Sequence, residues 1–104
     1  MDQKRLQDPQ HIIEHTKRPV LAEFYTDACV PCHELKPVLD QIEREYTGML
    51  KVVRIDAEQY QNLVLKYNVG SVPFLILFED GKIESEYADF IPYKPLKQML
   101  DKHL

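Results

Sequence analysis

The only two cysteines of the chain stand three positions apart in Cys29-Val30-Pro31-Cys32, after a β-like run and at an expected helix start. That spacing reads as a redox-active dithiol. At a helix N-terminus the first sulfur lies beside unpaired backbone N–H groups and the positive end of the helix dipole, and both stabilise a thiolate. The thiolate is the species that attacks a disulfide, so Cys29 is the candidate nucleophile. Cys32, one helical turn inward, is placed to resolve a mixed disulfide and is expected to be the more buried sulfur. Pro31 fixes φ and removes a donor that a helix start leaves orphaned, which restrains the dithiol. His33 follows directly, where a protonated imidazole would stabilise the thiolate and a solvated first-turn side chain would do nothing.

The elements that must hold this pair follow from periodicity. Val20-Leu21-Ala22-Glu23-Phe24-Tyr25 is a dense apolar and aromatic run, as expected of a strand buried on both faces, and Glu23 is its anomaly. A buried carboxylate has a raised pKa and can carry a proton near neutral pH, whereas an acid facing solvent near a sheet edge has no such task. Tyr25, at the strand end, is expected either to line the site or to fill the core. From Val30 onward Leu35, Val38, Leu39, Ile42 and Tyr46 recur at helical spacing, with Pro37 expected to bend the helix and Gly48 placed to end it.

Asp8-Pro9 has the form of an N-cap followed by proline at the first helical position, predicting a short helix that ends before Pro19. Lys51 to Asp56 reads as a second strand, Ala57 to Tyr67 as an amphipathic helix, and Asn68 to Val72 as a loop. Pro73 opens the run Phe74 to Phe78, and Asp80-Gly81 turns it into Lys82 to Tyr87, a hairpin. The last segment, with Pro95 in its first turn, puts Leu96, Met99, Leu100 and Leu104 on one helical face. The expected order is α-β-α-β-α-β-β-α, an α/β chain.

With 104 residues the chain supports one domain, spanning 1–104, with one modest core. Its 17 acidic and 13 basic residues leave a formal charge of −4, and no Lys/Arg stripe forms, so nucleic acid is not an expected partner. Met1 to Arg5 is polar and leads into no apolar leader, and runs such as Phe74 to Phe78 are too short to span a bilayer. Membrane insertion is not expected, and the expected location is the cytoplasm, where a lone pair of cysteines stays a working dithiol. A chain trimmed of its leader would read the same and would sit in the periplasm or another extracytoplasmic space.

Two rival chemistries use the same residues. Cys29-Val30-Pro31-Cys32-His33 matches the Cys-X-X-Cys-His pattern of covalent c-type haem attachment, with His33 as axial ligand. Strand-rich flanks and a hairpin are unlike the small helical cytochromes. A zinc site would need a fourth ligand from the dispersed His11, His15 and His103, so no metal is expected.

As an ordered set, these features resemble the thioredoxin family over residues 8 to 104. The Phe24-Tyr25 strand end before the dithiol, Pro37 in the following helix, the strand Val52 to Asp56, the Val72-Pro73 site, and the strand and turn from Leu75 to Gly81 carry the resemblance. It implies a thioredoxin-like fold, a central mixed sheet flanked by helices, with the dithiol at a helix N-terminus and a cis-proline loop facing it. A cis Val72-Pro73 bond would turn the Val72 backbone outward to pair with an extended substrate segment. The implied activity is thiol-disulfide exchange on protein disulfides, more as reductase than as oxidase, by a monomer. Cys29 attacks, Cys32 resolves and Glu23 relays the proton. No cofactor is implied beyond the Cys29-Cys32 couple, and a separate reductase or other electron donor is.

The departures concern specificity. The family usually carries Trp before the first cysteine, Gly between the pair and Lys or Arg after the second, where this chain has Ala28, Val30 and His33. Its buried acid is Glu23 in place of Asp, its lysine position holds Val52, and the residue after the proline is Phe74 in place of Thr. A further alternative is a binding module on the same scaffold, recognising a partner through the Pro73 loop with little redox turnover.

Overall fold

The computed structural model describes residues 8–104; the polar stretch Met1–Arg5 lies outside them. Its elements are α1 (Pro9–His15), β1 (Val20–Tyr25), α2 (Val30–Glu45), β2 (Lys51–Asp56), α3 (Gln61–Lys66), β3 (Phe74–Glu79), β4 (Lys82–Ala88) and α4 (Tyr93–His103). The sequence of elements is the one periodicity predicts. The strands form one sheet in the order β2-β1-β3-β4. β1 runs parallel to β2 and antiparallel to β3, and β3 pairs with β4 as a hairpin. With a strand on either side and helices over both faces, β1 is where the chain places its densest apolar run.

Because side chains alternate along a strand, β1 feeds two different cores. Leu21 packs with Leu35, Leu39 and Ile42 of α2 and with Leu96, Met99 and Leu100 of α4. Val20, Ala22 and Phe24 point the other way, among Ile13 of α1, Leu63 of α3, Ile55 and Phe78. The result is three layers, α2 and α4 on one side of the sheet and α1 and α3 on the other.

The helix predicted from Ala57 to Tyr67 is shorter. Asp56 is the reason: its Oδ1 accepts from the Glu58 N–H at 2.9 Å and from the Gln59 N–H at 3.4 Å, and its carbonyl accepts from Tyr60 N–H at 2.9 Å. This local capture forms a separate turn, leaves Tyr60 outside helical geometry (φ −116°, ψ 56°), and delays α3 to Gln61. At the hairpin, Asp80 (φ 53°) and Gly81 (φ 75°) both take left-handed backbone, the two-residue turn that matches strand twist. Pro37 lies inside α2, and Asp8 occupies the N-cap position of α1, with Pro9 opening the helix but no side-chain capping bond.

Candidate active site

The dithiol sits where β1 hands the chain to α2. Cys29 is the N-cap residue of α2 in extended backbone (φ −84°, ψ 107°), so its side chain takes the place that a serine or aspartate oxygen fills in other helices. Its Sγ accepts from the Cys32 N–H at 3.1 Å. Cys29 and Cys32 are joined as a disulfide, with Cα atoms 5.2 Å apart. Cys29 is half-buried while Cys32 is only 1% exposed, the asymmetry expected of an attacking and a resolving sulfur. Between them Val30 is 64% exposed, an apolar side chain presented to solvent beside the sulfurs.

His33 does not stand free. Its Nε2 lies 2.6 Å from the Asp27 carbonyl, and since a carbonyl only accepts, Nε2 carries the proton in that bond. The ring therefore braces the turn Thr26–Cys29, whose backbone is also closed by Cys29 N–H donating to the Thr26 carbonyl at 3.2 Å.

Glu23 is fully buried, on the face of β1 that looks toward α2, as Leu21 does. The edge-strand alternative is thereby ruled out. Arg54 Nε donates to Glu23 Oε1 at 2.8 Å, directly across the parallel register that pairs Glu23 with Arg54. Glu23 Oε2 is buried and has no partner among the described residues. Burial pushes the Glu23 carboxyl above its ordinary 4.5, while the Arg54 hydrogen bond and charge, and more weakly the His33 charge, pull it back. The guanidinium is itself seated, with Cζ 4.3 Å from the centre of the Tyr25 ring. Tyr25 is thus half-buried and occupied with Arg54.

The Val72–Pro73 peptide bond is cis, Pro73 is buried and Val72 is half-buried. The Pro73 carbonyl accepts from the Asp89 N–H at 2.9 Å, tying this loop to the segment after β4. Asp89 takes left-handed backbone (φ 74°), and its Oδ1 accepts from the Phe90 N–H at 2.8 Å. Phe90 is 37% exposed.

A helix-capping disulfide, a buried acid behind it and this order of strands coincide with a known family. The thioredoxin family model matches residues 4–102. The chain belongs to the thioredoxin family. It is 34% identical to the thioredoxin of Bacillus subtilis (strain 168) over 97 residues, 93% of each chain. Over 95 residues it is 33% identical to thioredoxin 1 of Synechococcus elongatus, covering 91% of this chain and 88% of that one. Thioredoxin C-2 of Corynebacterium nephridii is 31% identical over 86 residues. With the Cys29–Cys32 pair in place, membership makes the chain a thiol-disulfide oxidoreductase. The haem and binding-module alternatives are not favoured, since both sulfurs are bonded to one another and the His33 ring is engaged with Asp27.

Against the thioredoxin pattern, Val52 packs into the α2–α4 core and Arg54, two residues on, supplies the cation to the buried acid. Sequence reasoning missed Arg54. The signal was present: Glu23 and Arg54 are the lone charges inside their strands' apolar stretches, opposite in sign and at the fourth position of each. Among the described residues Lys36 bonds only Asp40, at 3.1 Å on the surface. Among the described residues no group of three His, Cys, Asp or Glu side chains forms a metal cage.

Proposed function

We propose that the chain works as a reductase of protein disulfides, a monomer in the cytoplasm, with the electron pair carried by Cys29 and Cys32 and no bound cofactor. The observation that carries this reading is the half-buried Cys29 at the α2 N-terminus, with Cys32, the resolving residue, buried one turn further in. In the reduced protein the Cys29 thiolate attacks one sulfur of a substrate disulfide. The new bond joins Cys29 to that sulfur, and the other leaves as a thiolate that takes a proton from solvent. Cys32 then gives its proton to the Glu23 carboxylate, and its thiolate attacks the Cys29 sulfur. The second substrate thiolate leaves, and Glu23 returns the proton. Two electrons pass to the substrate and the Cys29–Cys32 disulfide remains. A separate reductase must restore the dithiol with two electrons.

Substrate is held by backbone pairing at Val72, ahead of Pro73, as an extended segment adding to the protein's own backbone. Val30 gives that segment an apolar contact beside the sulfurs. The test is the equilibrium potential of the couple in graded glutathione or dithiothreitol buffers, with thiols counted by alkylation and mass. A midpoint near or below about −230 mV is expected, and one between about −180 and −120 mV would reverse the direction to oxidase or isomerase.

A further inference from the structure

We infer that Arg54, seated on Tyr25, is the positioning residue of the proton transfer: it binds one oxygen of Glu23 and leaves the other, Oε2, as the single proton acceptor. This rests on the proton role proposed for Glu23 and extends it to a residue outside the dithiol and its helix.

Three observations converge. Glu23 is wholly enclosed, yet among the described residues only Oε1 has a partner, the Arg54 Nε at 2.8 Å. A buried carboxylate oxygen without a donor is costly, and a role in proton exchange is one of the reasons such a group is retained. Second, Arg54 is 26% exposed on β2, so its charge meets water on one side while it holds Glu23 on the other. Third, the Tyr25 ring under Cζ, at 4.3 Å, fixes the plane of the guanidinium. A planar fork can donate from Nε and stack on a ring at once; the ammonium of a lysine has one point of charge and no plane.

Among the described residues the charged groups that act on Glu23 are few, Arg54 from β2 and His33 from α2. The β3 residue in register with it is the apolar Leu75, and α4 brings Leu96, Met99 and Leu100 to the same layer. Among the described residues Arg54 is the only cation bonded to the carboxylate, so its removal leaves burial opposed only by the weaker His33 charge and keeps Glu23 protonated to higher pH. A protonated Glu23 takes no proton from Cys32.

The experiment is single-turnover reduction of a disulfide-bonded peptide by the reduced protein, from about pH 5 to 9, following release of the second substrate thiol. Arg54→Met should move the acid limb upward by about one pH unit, a roughly tenfold slower step on that limb. Arg54→Lys, which keeps the charge, should recover part of the shift. In a Glu23→Gln background Arg54→Met should add no shift. Coincident limbs for the wild type and Arg54→Met overturn the inference, and so does a shift of equal size in the Glu23→Gln background. Should Arg54→Met not fold, Tyr25→Leu carries the test: it should raise the limb by a smaller amount, and an unmoved limb overturns the inference. If Glu23→Gln alone leaves the profile unchanged, it is the proton role of Glu23 that fails; if only the Arg54 variants are silent, Glu23 keeps its role.

Discussion

The two faces of β1 are built for different purposes. Toward α1 and α3 the strand presents Val20, Ala22 and Phe24, all at most 1% exposed and packed among apolar side chains. Toward α2 and α4 it presents Leu21, then the buried charge of Glu23, then Tyr25 with Arg54 over its ring. One face only holds the fold, while polarity on the other rises toward the end where the chain turns into the dithiol. A strand paired on both sides is rigid enough to carry an enclosed carboxylate, and its apolar face offsets the cost of that charge.

Substitutions on the two faces should therefore separate stability from chemistry. The largest effect lies at the end of the functional face: Cys29→Ser should abolish disulfide reduction, measured with dithiothreitol as electron donor, while Cys32→Ser should accumulate the mixed disulfide, visible by mass. Turnover surviving in Cys29→Ser would break the assignment. On the packing face Phe24→Ala should cost about 3–5 kcal/mol in urea unfolding, since a fully buried ring leaves a cavity. Its folded fraction should keep the wild-type pH–rate profile. A changed profile would mean that the two faces are not independent.

Glu23→Gln should do the opposite, altering pH dependence with a smaller change in stability. Between the ordinary 4.5 and its higher native value, the native protein holds a proton that the unfolded chain has lost. Raising the pH through that window therefore removes stability, with a slope of at most about 1.4 kcal/mol per pH unit. Unfolding measured across that window should lose this slope in Glu23→Gln. The smallest effect belongs to His33→Ala, which removes an exposed brace to Asp27 and should cost less than about 1 kcal/mol. Thermal unfolding checks it, and a much larger loss would show that the brace shapes the whole turn.

Most of the fold was legible in the sequence because its signals are local. The apolar run of β1, the helical spacing of Leu35, Leu39 and Ile42, and the Asp80-Gly81 turn each follow from neighbours within a few residues. The start of α3 was misjudged because Asp56 bonds its own downstream backbone, which a hydrophobic pattern does not register. Glu23 was legible as the anomaly of a buried strand and, through the family resemblance, as its buried acid, although the residues alone left a solvent-facing edge open, and Arg54 passed for an ordinary strand residue.

By itself the sequence determined the dithiol and its setting, because three-residue spacing at a helix start places Cys29, Cys32 and the helix N-terminus together whatever the rest of the chain does. Tertiary structure alone decided what stands behind it. The parallel register of β1 with β2 sets Arg54 against Glu23 across 31 residues of sequence, and the Asp89 N–H reaches the Pro73 carbonyl only once β3 and β4 have paired. Contacts of that kind depend on strand order and register, and a one-residue slip would send Arg54 to the other face of the sheet.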